Sequence, residues 1–331
     1  MPRRPPAVAR VLERVTATVR EHEMFLPGDT VLVAVSGGPD STCLLYSLWH
    51  LRRLLRVRLE VFHFDHRLRA DSANDADYVR RAATRLKVPF HPRTAEAEPG
   101  RGESVEAWAR KERLAAALAV RLDVGARRMA LGHTMDDQVE NVLMALVRGG
   151  GLDSVSGIRP TQAWLAHPLL DVRRTEVEAF VRALHLRPRL DPTNRDARLL
   201  RNALRLRAIP AMEKATGREV RGPIARSASI LRRDADALRQ QAMGAAKTVV
   251  EEVPDGVILD TVQLLTLSPA VAARVVRFAF VMLPGPASEE SIEGVLDLAA
   301  GRPGRRRDLP GGLIAMREQE YVLLSRSSPG A

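Results

Sequence analysis

The sequence predicts an α/β protein: a Rossmann-like, doubly wound parallel sheet followed by a second, smaller α+β domain. Three observations predict it. Short β-branched runs alternate with stretches of helical spacing through the first half of the chain, as strands joined by crossover helices do. The first of these strands breaks into a glycine pair and resumes at once as a helix. Past residue 199 the alternation gives way to a long basic helical stretch and then to strand-like pieces.

In chain order, Val8 to Glu23 has apolar residues at helical spacing and reads as a leading helix. Strands are expected at TVLVAVS from Thr30, RLEVFHF from Arg58, VPFHPRT from Val88 and RRMALGH from Arg127. Helices are expected to start near Pro39, Ser72, Ser104 and Met135. Ligands of such sheets bind at the carboxyl ends of the strands. The turns after Val35, Phe62 and Leu131 should therefore open on one edge. Between Leu200 and Ala245 ten Lys and Arg stand against four Asp and Glu. Strand-like pieces return at GVILD from Gly256, GLIAMRE from Gly312 and YVLLS from Tyr321, the last two preceded by the loop AGRPGRRRDLPGG from Ala300. The domains are placed at 1–215 and 216–331.

Composition narrows the function. With 331 residues, 45% of them hydrophobic, the chain can bury a real core, which excludes global disorder. Lys and Arg number 51 against 40 Asp and Glu, a balance of +11 that favours a polyanionic partner such as nucleic acid. Cys43 is the single cysteine, which excludes a disulfide, a Cys-x-x-Cys pair and an iron–sulfur ligand set. Set among leucines, Cys43 reads as a small buried hydrophobe. The basic N-terminus lacks an apolar core segment and no apolar run approaches a bilayer span. A soluble, cytoplasmic protein with no membrane partner is expected; an oligomer is left open.

The glycine pair lies in Ser36-Gly37-Gly38-Pro39-Asp40-Ser41. A strand-to-helix turn leaves backbone N–H groups unpaired and points a helix dipole at whatever sits there. Glycines let that backbone approach an anion, and proline suits the first helical turn. Ser36 and Ser41 add hydroxyl donors, and Asp40 is placed to position a divalent ion. Two glycines alone fit a plain turn equally well. The Gly-Lys-Ser/Thr of a Walker-A loop is missing, however, so γ-phosphate transfer is disfavoured.

In LGHTMDDQVENVLMALVRGGG, from Leu131, Thr134 and Asp137 have capping-box spacing. At about 100° per residue, Asp137, Glu140 and Asn141 share one helix face, and Val139, Val142, Leu143 and Leu146 the opposite one. The first face is expected toward the cleft and the second in the core, with His133 at the end of the preceding strand. A solvated acidic helix start would look the same. Arg110 and Arg113 lie one turn apart on another helix, and Arg201 and Arg205 stand at i, i+4. Facing the cleft, such cations would offset phosphate charge; facing outward, they would be a solvated charge run.

The Ser-Gly-Gly-x-Asp-Ser loop after the first strand resembles the pyrophosphate loop of the N-type ATP pyrophosphatases, the adenine nucleotide alpha hydrolase-like PP-loop superfamily. Together with HFDHRLRADS at His63, EAWARKER at Glu106, the GHTMDDQVEN stretch at Gly132, HPLLDVRR at His167 and DPTNRDARLLRNALR at Asp191, it resembles the tRNA(Ile)-lysidine synthetases. The resemblance covers the first two-thirds of the chain and departs from the family pattern at Thr134, Asn141 and His167. It implies ATP-dependent joining of free L-lysine to C2 of the wobble cytidine of an isoleucine tRNA with a CAU anticodon, through an adenylated tRNA, with release of AMP and pyrophosphate. It further implies that Ser36, Gly37, Gly38, Pro39, Asp40, Ser41 and His133 bind ATP. Arg113, His133, Asp137, Glu140, Arg201 and Arg205 would carry the chemistry, and Asp40 and Asp137 would hold Mg2+. A thiolating relative is the nearest alternative; it is disfavoured because Cys43 alone cannot supply sulfur transfer or a cluster.

Overall fold

Proline at the first turn and apolar residues at i, i+3, i+4 and i+7 start the chain as helix α1 (Pro6–Glu21), which buries Val8, Val11, Leu12, Val15 and Val19. The computed structural model describes residues 4–67, 72–96, 100, 104–189, 198–283 and 287–326. By contacts it divides into two compact units, Met1–Ser229 and Ile230–Ala331.

The first unit continues with β1 (Thr30–Ala34), α2 (Pro39–Leu55), β2 (Arg58–Asp65), α3 (Ser72–Leu86), β3 (Phe90–Thr94), α4 (Val105–Asp123), β4 (Arg128–Ala130) and α5 (Met135–Val147). After α6 (Leu152–Val155) come two-residue strands β5 (Thr161–Gln162) and β6 (Leu165–Ala166), then α7 (Arg174–Ala183). Among the described residues these strands form a six-stranded sheet of order β3-β2-β1-β4-β6-β5. Its pairings are parallel except for β5 with β6. The doubly wound sheet expected from the alternation is thus present, with an antiparallel hairpin at one edge that two-residue strands are too short to announce. Strand β3 begins two residues later than Val88 because the Val88 N–H closes the end of α3 on the Ala83 carbonyl (3.0 Å).

Val31, Leu32 and Val33 of β1 are buried on both faces, as a central parallel strand requires. One core layer sets Val31 and Val33 with Cys43, Leu44, Leu48 and Phe180; the other sets Leu32 with Phe62, Val120 and Met129. The chain winds from β1 outward through β2 to β3, then returns to β4 on the other side of β1. The reversal between β1 and β4 is where an open sheet of this kind leaves a crevice.

The unit ends with α8 (Leu200–Ala203), a π-helical turn over Leu204–Ala208, α9 (Ile209–Thr216) and the start of α10 (Arg221–Val249). The π turn has a local cause: Pro210 has no N–H to give the carbonyl four residues back, so the ladder widens around it. Residues 190–197, which begin the DPTNRDA stretch, and 68–71 of HFDHRLRADS lie outside the described residues.

The second unit joins β7 (Val250–Val253), β8 (Gly256–Asp260), α11 (Thr261–Thr266), α12 (Pro269–Met282), α13 (Glu289–Ala300), β9 (Arg306–Leu309), β10 (Leu313–Arg317) and β11 (Tyr321–Arg326). Its antiparallel sheet, of order β7-β8-β11-β10-β9 among the described residues, buries alternate residues. Val257, Leu259, Val322 and Leu324 pack on Val275, Phe280, Val295 and Leu298 from α12 and α13. This is the second sheet domain that the returning strand pieces predict.

Candidate active site

Where β1 ends, the backbone turns through Gly37 at φ +93°, a conformation that favours glycine, and enters α2 at Pro39 with Gly38 as its extended N-cap. Gly38 needs no such excuse. A Cβ built there would meet only Ser36 Oγ, at 3.6 Å, so its absence leaves open space above the first turn of the helix. Ser41 Oγ lies 3.1 Å from Ser36 Oγ and donates to the Gly38 carbonyl (3.1 Å), while the Ser36 N–H donates to it (3.2 Å). The hydroxyls thus brace the loop, and the unpaired N–H groups of α2 face the open side.

Gly132, just past β4, touches this loop from the other side. A Cβ there would fall 3.2 Å from the Asp40 carbonyl carbon and from Ser41 Cα and N. Only glycine lets the end of β4 lie so close to α2, and that approach brings His133 and α5 over the loop. Thr134 then caps α5 in a reciprocal box: Asp137 Oδ2 accepts from the Thr134 N–H (2.8 Å) and Oγ1 (2.9 Å), as the spacing predicts.

The carboxylates are held by arginines. Arg174 Nη2 donates to Asp40 Oδ2 (3.1 Å) and lies 3.7 Å from Asp137 Oδ1. Arg205, carried by the π turn, lies 3.5 Å from the same Asp137 oxygen and forks onto Glu140 at 2.5 and 2.9 Å. Arg201 Nε stands 3.2 Å from Glu140 Oε2. The Glu140 side chain is 1% exposed. It faces the arginines of α8 and the π turn, and so reaches the site through Arg205. Leu146, placed with the core face by the helix pattern, is instead 56% exposed at the end of α5.

Burial sets these charges apart. It pushes the Asp40 carboxyl up to about 6, against the pull of Arg174, and Asp40 Oδ1 is buried without a hydrogen-bond partner. Burial also raises Asp137, but Arg174 and the Thr134 bonds outweigh it and hold that carboxyl below its usual value. For Glu140 the balance goes the other way: burial prevails over Arg205 and the carboxyl is raised.

A cavity of about 550 Å³ opens at the carboxyl edge of β1, β2 and β4 and is lined by Ser36, Asp40, Ser41, Arg113, His133 and Asp137 among others. Six of the sequence-predicted residues therefore share one space. Gly37, Gly38 and Pro39 form the loop at its rim, and Glu140, Arg201 and Arg205 flank it through Asp137. Burial lowers the Arg113 guanidinium, with Arg110 adding to the effect.

His63 lines this cavity and Arg174 reaches two of its carboxylates, and neither is among the sequence-predicted site residues. His63 donates from Nδ1 to the Val35 carbonyl (2.8 Å) and keeps a buried, unpartnered Nε2 in the cavity wall. Arg174 bridges Asp40 and Asp137. Both sit inside quoted motifs, HFDHRLRADS and HPLLDVRR, and position within those motifs was the available signal.

The rings of His133 and His167 lie tilted against each other, with centroids 4.9 Å apart and 41° between planes, and His133 Nδ1 is buried without a partner. Burial, then the neighbouring His167, pushes His133 down to about 3, so it meets a ligand as a neutral imidazole. The unfolded chain takes up this proton near pH 6.5 while the folded chain refuses it. Stability from this group is therefore complete above pH 6.5 and is lost progressively as pH falls toward 3. Asp40 works in the opposite sense between 3.8 and about 6. In urea unfolding at pH 7.5 and 5, His133→Asn should lose measurably less stability on acidification than the unmodified chain; equal losses refute this account.

A glycine-lined turn at a helix start, carboxylates and cations around one cavity, and the reversal of a doubly wound sheet define a nucleotide-binding α/β protein of the PP-loop class. The family model described as a PP-loop domain matches residues 9–212. The chain is 36% identical over 337 residues to a tRNA(Ile)-lysidine synthase of Symbiobacterium thermophilum, covering 96% of this chain and 70% of that protein. It is 35% identical over 324 residues to a tRNA(Ile)-lysidine synthase of Cutibacterium acnes, covering 97% and 96%. The chain belongs to the tRNA(Ile)-lysidine synthase family. A solved U34-tRNA thiolase from Methanococcus maripaludis superposes with a TM-score of 0.57 at 16% identity, over 68% of this chain and 78% of that one, a likeness of fold alone.

Proposed function

We propose that this chain joins lysine to C2 of the wobble cytidine of an isoleucine tRNA bearing a CAU anticodon, at the expense of ATP. The observation that carries the reading is the lysine-free glycine loop facing Asp137, His133 and Arg113 across one cavity in a chain of this family. In the first step the cytidine C2 oxygen attacks the α-phosphorus, the bond to the β-phosphate oxygen breaks, and pyrophosphate leaves. In the second the lysine ε-amine, having lost a proton, attacks C2; the C2–O bond breaks and AMP leaves with that oxygen.

The geometry supports the following roles. Ser36 through Ser41 supply N–H and hydroxyl donors to phosphate, and Arg113 offsets its charge. His133 meets the nucleotide as a neutral partner. Asp137, kept ionised by Arg174 and Thr134, is the carboxylate placed to attract the lysine ammonium and accept its proton. Glu140 serves by holding Arg205 and Arg201 against the site. The target base has to leave its stack to reach such a cavity.

A divalent ion such as Mg2+ fits Asp40 and Asp137, because Asp40 Oδ1 is buried without a hydrogen-bond partner and so has a lone pair to offer a cation. Among the described residues no three His, Cys, Asp or Glu side chains are grouped to hold a metal. Phosphate oxygens and water would complete its shell, and its chemistry would be to neutralise phosphate charge. Residues 216–331 are taken as the part that binds RNA on the strength of the basic helical stretch between Leu200 and Ala245 that leads into them, since 216–331 as a whole carry 15 Lys and Arg against 14 Asp and Glu. The thiolating alternative is disfavoured: Cys43 is buried and its thiol is pushed up to about 12 by burial, so it offers no thiolate. Among the described residues no helix is long and apolar enough to cross a membrane.

The test is direct. ATP, Mg2+, labelled lysine and the CAU-anticodon isoleucine tRNA should give label in RNA with equal release of AMP and pyrophosphate. Release of ADP, or turnover independent of lysine, overturns the reading.

A further inference from the structure

We propose that Asp136 is a positioning residue for this reaction, acting through Arg174. The two adjacent aspartates at the start of α5 do different work. Asp137 caps its own helix, whereas Asp136 caps another: its Oδ2 accepts from the Arg174 N–H at 2.8 Å. Arg174 is the first residue of α7; Arg173 at the N-cap position makes no side-chain capping bond, and Glu176 Oε2 takes the Arg173 N–H (3.0 Å) but not that of Arg174. A donor left open at that helix start is thus satisfied from α5.

The contact is braced on both sides. The Met135 N–H donates to the Val172 carbonyl (3.0 Å), which ties the residue before Asp136 to the residue two before Arg174. Asp136 Oδ1 lies 3.1 Å from Arg221 Nε, and Arg221 Nη1 in turn reaches Glu213 Oε1. Each carboxylate oxygen therefore has its own partner, one a backbone N–H and the other a guanidinium.

What this fixes is the root of the Arg174 side chain. From that root the guanidinium reaches Asp40 Oδ2 on α2 and approaches Asp137 Oδ1 on α5. Asp136 itself does not line the cavity, so its influence on chemistry runs through where α7 begins. Loss of the cap frees the first turn of α7 and lets Arg174 drift from between the two carboxylates. A misplacement of about an ångström at a reacting centre is enough to slow turnover strongly.

The inference rests on the nucleotide chemistry proposed above. Its test combines turnover with a readout that does not depend on turnover. Asp136→Ala should lower kcat about tenfold with KM for ATP and RNA within about twofold, because binding groups stay in place. Asp136→Asn keeps an oxygen for the Arg174 N–H and should recover most of that rate. In an Arg174→Ala background, Asp136→Ala should cost less than about twofold further, the non-additivity of residues acting through one another. Amide exchange at residue 174 should quicken about tenfold or more in Asp136→Ala and stay near the unmodified rate in Asp136→Asn. Multiplicative losses in the double variant, a loss confined to KM, or an unchanged exchange rate overturns the proposal. If the unmodified chain releases no AMP and pyrophosphate, the reaction reading fails instead, and the exchange rates still decide whether Asp136 seats Arg174.

Discussion

Asp137→Asn is expected to lower the rate of lysine transfer about 10²- to 10⁴-fold while leaving RNA affinity within about twofold. The substitution keeps the shape and one oxygen, so the Thr134 N–H still has an acceptor and α5 still starts where it does. What it removes is charge. Arg174 and Arg205 both approach Asp137 Oδ1, and an amide there neither balances them nor accepts a proton from an ammonium. With the cap acceptor kept, the folded state should lose less than about 1 kcal/mol, the typical worth of a whole cap. Steady-state turnover, RNA binding by filter retention and urea unfolding on one preparation separate these effects. Parallel loss of turnover and RNA affinity would mean that Asp137 shapes the surface rather than the chemistry.

Arg205→Ala should be the most destabilising single change in the site, at about 3 kcal/mol. Glu140 is almost fully buried and Arg205 supplies both members of its fork. Truncating the arginine strands a carboxylate for which water has little access and Arg201 offers one contact. The stranded group would then sit even further above its usual pKa than burial already sets it. Because the folded state would bind that proton more readily, the loss should shrink as pH falls from 8 to 5. Glu140→Gln in the same background should return part of the stability. Unfolding midpoints that do not depend on the residue at 140 would refute this origin.

The loop and the cap were readable from local spacing because their causes are local. A glycine at φ +93° and a proline at the first helical position act within six residues, and Thr134 and Asp137 are three apart. The partners of Glu140 were not, since Arg205 stands 65 positions away and is aimed by a π turn. The helix pattern put Glu140 with Asp137 toward the cleft, but Glu140 is buried against Arg205 and Arg201 and does not line the cavity, which local spacing could not show. Arg174 escaped for a related reason: its role depends on where α7 begins, and that is fixed by a carboxylate on α5. At the sheet edge, β5 and β6 are too short for a period of two to show. The family likeness supplied what spacing could not, namely which of several solvated-looking charges belong to one site.

The arrangement of arginines between carboxylates has an electrical consequence. Asp40, Asp137 and Glu140 cancel Arg174, Arg201 and Arg205 one for one, so this lattice is close to neutral inside a chain whose formal balance is +11. The long-range pull on a polyanion thus originates outside it, and the lattice itself discriminates by shape and exchange of partners. A ligand entering there is admitted by swapping: each cation it brings can release a guanidinium, and each phosphate can receive one. The enzyme is already wired with its own counterions.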